Sequence, residues 1–302
     1  MYKTTARLNN TRIIGAILTS LGAACWGLSG SMGQYLFTVQ QMDSRWLVPI
    51  RLGLAGIILL IYAMVKLPNE IMLPWRTPRQ ALTMLVYGLL GVSCCQFFYF
   101  LTIELSSAAV GTILQDMAPI FILIFTCISA RRLPKIMELS SIILALAGVF
   151  FLTTHGNLSN LSVPSSALIA GIVSGFCVAI YNVLATKLSR VPVIIVQGWS
   201  FLLGGIAGCF VFRIWRIHYI PNIYGIIGIA FVVVVGNILA FTLYIKGVQL
   251  IGPNIAILYS FAEPITAAII STIVLGSVFT VYDAIGFILI FAMLCLISIC
   301  RK

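Results

Sequence analysis

Charged residues are scarce in this chain. Only 8% of its 302 residues are Asp, Glu, Lys or Arg, whereas 61% are apolar and the mean hydropathy is +1.12. A soluble domain carries about 25% charged residues, so this chain has too few to cover a water-exposed surface. The composition therefore excludes a soluble globular protein and indicates that much of the apolar surface faces lipid.

Catalytic and metal-binding motifs are also missing. The chain has only two histidines, and it contains no Walker A phosphate loop, no His-Glu-x-x-His and no Gly-x-Ser-x-Gly. Its eight cysteines all lie in apolar segments, where free cysteine acts as a small packing residue. We therefore expect no enzyme activity, no ATP hydrolysis through such a loop, no bound metal, and no cofactor other than a coupled proton.

Long apolar runs fill most of the sequence. A helix needs about 20 apolar residues to cross the hydrocarbon core of a bilayer, and about ten stretches approach that length. Their continuous apolar character argues against a β-barrel, whose strands alternate between apolar and polar residues. The sequence thus predicts an all-α integral membrane protein with helices at 13–37, 44–65, 81–101, 107–130, 136–154, 165–187, 193–213, 222–245, 253–275 and 282–300.

The net charge of +11 is distributed unevenly. If ten helices alternate in direction, 14 of the 18 Lys and Arg residues fall on one side of the membrane, which by the positive-inside rule is cytoplasmic. Both termini are then cytoplasmic, and the protein is expected to be a multi-pass protein of the plasma (inner) membrane. Only Arg45, Arg213 and Arg216 fall on the other side, and Arg51 lies inside a helix. Because the charge follows the topology, nucleic acid is not an expected partner.

The sequence repeats itself with a shift of 145 residues. In one ungapped register over three consecutive spans, the matched pairs include Gly91 with Gly236, Tyr99 with Tyr244, Pro119 with Pro264, and Glu138 with Asp283. We predict two five-helix repeats, 13–154 and 165–300. An odd number of helices inserts the second repeat upside down, which is the plan of many secondary transporters. The alternative is a duplication without mechanistic meaning.

Several short motifs lie along nearly the whole chain. They are Ala-Ala-Cys-Trp-Gly at 23–27, Ile-Arg-Leu at 50–52, the stretch from Tyr87 to Pro119, and the stretch from Tyr244 through Leu250 and Gly252 to Ala262-Glu263-Pro264. Together they resemble the EamA-type family of the drug/metabolite transporter superfamily. The resemblance implies ten helices, cytoplasmic termini and transport of small metabolites, often export of amino acids, without implying one substrate. Asp116 departs from the family pattern, in which an apolar residue is more usual.

Two acidic residues lie near the middle of predicted spans. Asp116 is about ten residues into the fourth span and Glu263 about ten into the ninth. A charge there costs about 2.5–3.5 kcal/mol on insertion scales, so its presence points to function. Pro119 and Pro264 lie within a turn of these acids and are predicted hinges, because proline interrupts the helix ladder. We interpret the acids as a proton-coupling or cation-binding pair; the alternative is a structural ion pair between one acid and Arg51.

Further side chains are candidates for binding substrate. Arg51, about two turns inside the second span, could neutralise an acid, bind a substrate carboxylate, or extend outward to the interface. Tyr259 lies one helical turn before Glu263 and shares its face. The other candidates for substrate binding or coupling are Trp26, Tyr99, Gln115, Asn182 and Tyr244, and a cavity could also be lined by Gln34, Gln96, Tyr181 and Asn237. For each of these the alternative is packing or lipid contact.

These features predict a secondary transporter, not driven by ATP, that moves small metabolites by alternating access. The family resemblance implies that it exports amino acids or related compounds. Its substrate site is expected between the two halves, near the membrane midplane. Within transport, the alternative is an exporter of cationic drugs or amines. From another class, the alternative is a non-transporting membrane subunit or sensor, whose interior would be fully packed with its acids ion-paired. The expected partners are a small-molecule substrate and the lipid bilayer.

Overall fold

Helices make up nearly all of the structure, a computed structural model that describes residues 2–156, 162–252, 255, 256 and 259–300. No strand occurs in these residues, and the predicted all-α membrane fold is confirmed. The helices are α1 Tyr2–Thr38, α2 Ser44–Lys66, α3 Pro78–Leu105, α4 Ala108–Ser129, α5 Ile136–Thr154, α6 Ser165–Leu188, α7 Val193–Phe212, α8 Ile223–Ile251, α9 Ala262–Ile273 and α10 Val281–Cys300. Within the described chain, α1 to α8 are long and apolar enough to cross a bilayer, and α9 and α10 are shorter apolar helices.

The two repeats share an irregularity of the backbone as well as a sequence pattern. Helix α3 contains a π-helical segment, Val86–Ser93, and α8 contains another of the same length, Val232–Leu239. The two segments are 146 residues apart, one residue more than the shift that aligns the sequence. Since π-helical segments are rare and often occur at functional sites, their matching positions support the arrangement in two inverted five-helix repeats.

Helix breaks also recur at matching places. Helix α4 stops at Asp116 and Met117 and resumes at Ala118, and a turn at Ser260 and Phe261 precedes α9. Each following segment carries a proline in its first turn, Pro119 in α4 and Pro264 in α9. Proline fits the first turn because it needs no backbone hydrogen-bond partner there, whereas further inside it would clash with the preceding turn. The prolines thus mark the restart of each helix, just beyond the break.

The two repeats interlock. The first helix of each repeat packs against the third and fourth helices of the other, so that α1 contacts α8 and α9 while α6 contacts α3 and α4. Helix α2 packs mainly against α7, and α5 against α10. Two bundles that each combine both repeats therefore face one another across the centre of the molecule.

The contact between α2 and α7 depends on glycine. A Cβ added to Gly205 of α7 would lie 2.5 Å from the Cα of Gly53 and 3.0 Å from the carbonyl oxygen of Pro49 in α2. A Cβ added to Gly53 would meet only the Cα of Gly205, at 3.9 Å. Small residues let membrane helices approach closely, and both glycines face this interface. The space for an added side chain differs between them, since a Cβ would clash at Gly205 and not at Gly53.

This asymmetry predicts different outcomes for two matched substitutions. Gly205→Ala should lower the melting temperature of the detergent-solubilised protein, because overpacking costs about 1–3 kcal/mol. Gly53→Ala should leave it unchanged or raise it, since alanine favours helix by up to about 1 kcal/mol over glycine. Equal melting temperatures for the two variants would contradict this packing.

Candidate functional site

Arg51 is buried at the centre of the bundle, with 1% of its surface exposed. One guanidinium nitrogen donates to Gln96 Oε1 of α3, and the other donates to Asn237 Oδ1 of α8 at 3.5 Å. The ring of Phe100 lies against the guanidinium, with its centroid 3.7 Å from the Cζ atom. Such stacking favours a cation by about 2 kcal/mol when water is excluded. Arg51 therefore does not extend to the interface, and its partners come from both repeats.

Asp116 and Glu263 lie at the two helix breaks. Asp116 ends the first segment of α4, and Glu263 is in the first turn of α9, where the helix dipole favours a negative charge. The two carboxyl groups are close enough for their charges to interact. The ion pairs among the described residues are Asp43 with Arg45, Arg132 with Glu138, and His155 with Asp283. An ion pair between a central acid and Arg51, the structural alternative, is thus absent from that part of the chain.

Tyr99 and Tyr244, which are repeat partners, both lie within electrostatic range of the two acids. Each interacts electrostatically with both Asp116 and Glu263, and Tyr99 also interacts with Arg51. Tyr99 is thus the side chain shared by the cationic and anionic parts of the site. Tyr244 is held in place by Trp26, whose ring centroid is 4.9 Å from its own, and by a hydrogen bond with Ser260.

Together these residues form a central polar cluster: Arg51, Gln96, Tyr99, Asp116, Asn237, Tyr244 and Glu263. Three of its buried polar atoms have no hydrogen-bond partner among the described residues, namely Arg51 Nε, Asn237 Nδ2 and the Tyr99 hydroxyl. Each of these atoms can donate a hydrogen bond. A buried polar atom without a partner costs about 1–3 kcal/mol, so the cluster is suited to an added group that accepts hydrogen bonds.

The other sequence candidates lie outside this cluster. Gln115 accepts a hydrogen bond from Ser174 at 3.1 Å and so joins α4 to α6. Asn182 is exposed and donates back to the carbonyl of Val178 in its own helix at 2.8 Å. Tyr259 is 40% exposed. Pro119 and Pro264 flank the acids, and their role as hinges stays a prediction.

Two members of the cluster are predicted from the sequence only as possible cavity residues. Gln96 and Asn237 bind the guanidinium of Arg51. One chemical signal in the sequence points to this pairing. An amide in an apolar span needs hydrogen-bond partners, and a buried arginine offers the largest number of donors. The sequence could not show that these residues face one another, because Asn237 is 186 positions from Arg51.

Comparison with known proteins identifies the fold and the family. The model of the EamA-like transporter family matches residues 13–154 and again residues 165–299. The chain belongs to the EamA-like transporter family. It is 35% identical over 286 residues, 94% of its own length and 95% of the relative's, to the uncharacterized inner membrane transporter YicL of Salmonella typhimurium. This protein is therefore a multi-pass membrane transporter.

A solved crystal structure has the same fold. The alignment covers 97% of this chain and 97% of the chain in that structure, with a TM-score of 0.62 and 15% sequence identity. At this identity the similarity concerns the arrangement of the helices. The chemistry of the central polar cluster must be argued from the residues of this chain.

The unpartnered hydroxyl of Tyr99 leads to a stability prediction. Tyr99→Phe should leave the melting temperature unchanged or raise it, because it removes a buried polar atom that lacks a partner. The matched variant Tyr219→Phe should lower it, since the Tyr219 hydroxyl donates to the carbonyl oxygen of Gln40 at 2.9 Å. Thermal unfolding in one detergent measures both, and a large loss of stability in Tyr99→Phe would show that its hydroxyl has a structural partner.

Proposed function

We propose that this transporter exports amino acids or related small zwitterionic metabolites through the central polar cluster. One observation carries the proposal: buried Arg51 and the half-buried Asp116 and Glu263 all interact electrostatically with Tyr99, but the arginine is not paired with either acid. Arg51 is bound by amides and retains an unpartnered Nε, while Asp116 and Glu263 form no ion pair with the described residues. Charges kept for structure alone are expected in pairs, because an unpaired buried charge is costly.

A zwitterion would supply both kinds of missing partner. Its carboxylate can accept hydrogen bonds from Arg51 Nε, Asn237 Nδ2 and the Tyr99 hydroxyl, and a guanidinium binds a carboxylate more strongly than it binds a neutral amide. Its ammonium group can bind Asp116 and Glu263. The position of Tyr99, in electrostatic contact with both parts of the site, suits a small substrate that spans them.

The same carboxylates can couple transport to protons. A proton and a substrate ammonium group both neutralise Asp116 or Glu263, so binding of one competes with binding of the other. Because the two acids interact, neutralising either one changes the affinity of the site for a second cation. We propose that this competition drives export by a proton gradient, without ATP.

Alternating access would use the two mixed bundles as moving units. Helices α1, α8 and α9 pack together, as do α3, α4 and α6, whereas the two repeats interlock. Sliding within either bundle would disrupt tightly packed helices, and movement between them would open the cluster at one end. The breaks at Asp116 and at Ser260 lie where this movement would have to bend α4 and the segment leading into α9.

The orientation in the membrane follows from charge. We propose an inner-membrane location with both termini cytoplasmic, because 14 of the 18 basic residues then lie on the cytoplasmic side or at its interface. The similar YicL protein is described as an inner membrane transporter. Export is the direction implied by the resemblance to this family.

An exporter of cationic amines is the second candidate, favoured by the two acids at the helix breaks. The two candidates differ in whether Arg51 contacts the substrate. A decarboxylated amine needs only the acids, whereas an amino acid also needs the donors around Arg51. A substrate series that removes one charge at a time therefore separates them.

Counterflow in proteoliposomes tests the proposal. Vesicles loaded with a mixture of amino acids should accumulate a labelled amino acid. The decarboxylated amine and the amide of that amino acid should compete for its uptake at least about tenfold more weakly than the unlabelled amino acid does, since a lost charged hydrogen bond costs about 1.5–3 kcal/mol. Equal competition by the amine would favour the amine exporter. No accumulation of any class by folded protein would favour the non-transporting subunit.

The acids should control coupling. Asp116→Asn and Glu263→Gln should each reduce pH-driven uptake by about tenfold or more, because tenfold corresponds to about 1.4 kcal/mol and a charged hydrogen bond is worth at least that. Glu104→Gln is the matched control: it changes an acid at the far end of α3, which accepts a hydrogen bond from Ser44 N at 3.2 Å. Unchanged pH dependence in both central variants would remove the acids from the coupling mechanism.

A further inference from the structure

Three helices and one connection meet at a single buried side chain, Gln34 of α1, which is 3% exposed. Its Nε2 donates to Ser277 Oγ at 2.7 Å. Its Oε1 accepts from Ser271 Oγ at 2.7 Å and from the backbone N–H of Ala108 at 2.8 Å. A side-chain amide has about four hydrogen-bonding positions, and three of them are used here. The partners belong to α4, α9 and the connection between α9 and α10.

All of these partners lie at one end of the bundle. Gln34 is one turn before the end of α1, Ala108 is the first residue of α4, and Ser271 is near the end of α9. With the termini in the cytoplasm, as proposed above, this is the outer end. The amide joins the two repeats there, since α1 and α4 belong to the first and Ser271 and Ser277 to the second.

We propose that Gln34 is the latch of an outer gate, whose hydrogen bond to α4 holds the transport path closed to the outside and must break for substrate release. This inference rests on the alternating access of the proposed function. The bond from the Ala108 N–H joins α4 of one bundle to α1 of the other and defines the closed state of the gate, and the separation of the outer ends of α1 and α4 defines its open state. The bonds to Ser271 and Ser277 lie within the bundle of α1 and α9 and hold the Gln34 side chain in position.

The latch lies on the outer side of the central polar cluster. Ser271 is eight residues beyond Glu263 in α9, and Ala108 is eight residues before Asp116 in α4. At about 1.5 Å per residue, both latch positions are about 12 Å from the acids, in the outward direction. The cavity beside Ser271 and Ser277 has a volume of about 30 Å³, which holds about one or two water molecules. It is too small for a metabolite to pass.

The inner counterparts of two latch partners form local bonds. The repeat relates Ser271 to Thr126 and Ser277 to Arg132. The Thr126 hydroxyl donates to the carbonyl of Ile122 in its own helix at 2.8 Å, and Arg132 binds Glu138. The bonds that Ser271 and Ser277 make to Gln34 therefore have no equivalent at these two inner counterparts.

A merely structural role for Gln34 has a different signature. A structural anchor would lower the melting temperature when removed and leave the outer ends at their original separation. A latch, once removed, allows the outer ends to separate in a protein that stays folded. The distance between the outer end of α1 and the outer ends of α3 and α4 is therefore the measurement that decides.

The experiment uses the full chain, with its eight cysteines replaced and spin labels at Val39, just beyond α1, and at Leu105, the last residue of α3, which are 58% and 37% exposed. Double electron–electron resonance in proteoliposomes should give one short distance for the parent protein. Gln34→Leu, which keeps the bulk but removes all three bonds, should add a longer population of at least about a tenth of the distribution, the upper range for minor states. Gln197→Leu is the matched control, since Gln197 is a buried amide of α7 away from the latch.

The latch is refuted if folded Gln34→Leu gives the parent distances, or if Gln197→Leu gives the same longer population. If Gln34→Leu does not fold, the decision passes to Ala108→Pro, which removes the N–H that bonds to Gln34. Ala108 is the first residue of α4, a position that proline fits. This variant should also add a population at longer distance, and the parent distances would again overturn the latch. Because no substrate is needed for this measurement, a failure to observe transport bears on the proposed function alone.

Discussion

The burial of Arg51 without a carboxylate partner is the constraint around which the centre of this transporter is arranged. The bilayer core offers no water, so a guanidinium there must find its partners within the protein. Gln96 and Asn237 provide oxygens, and Phe100 provides a ring face. Gln96 and Phe100 lie on α3 of the first repeat, and Asn237 lies on α8 of the second. Helix α2 carries the arginine. Loss of the contact would separate helices of both halves, which ties the site to the fold.

The helices are irregular where the site is built. The π-helical segments of α3 and α8 and the breaks beside Asp116 and Glu263 occupy repeat-related positions. A regular helix satisfies its own backbone and offers ligands only side chains, whereas a break leaves N–H and C=O groups free. A break also bends at low cost. The two breaks, one in each repeat, are therefore the points at which we propose that binding and movement are combined.

The helices and the repeat can be predicted from the sequence because the hydropathy pattern and the shared register each extend over many residues. The repeat also explains why Tyr99 and Tyr244 were found together with the acids, since symmetry-related positions meet at the axis. Asn182 was predicted on polarity alone, but its exposed position depends on which face of α6 packs inward, and a nearly uniformly apolar helix does not reveal that. The partners of Gln34 lie between 74 and 243 positions away, beyond any local pattern.

The asymmetry between the two ends bears on the direction of transport. Inverted repeats alone would make the inward-open and outward-open states similar in energy, because the same contacts would form at either end. A latch at the outer end stabilises closure to the outside, and only a difference in free energy between the states shifts their populations. An exporter loads from the cytoplasm, so it benefits from resting closed outside and open within. The latch that we propose at Gln34 is thus the arrangement expected of an exporter with its termini in the cytoplasm.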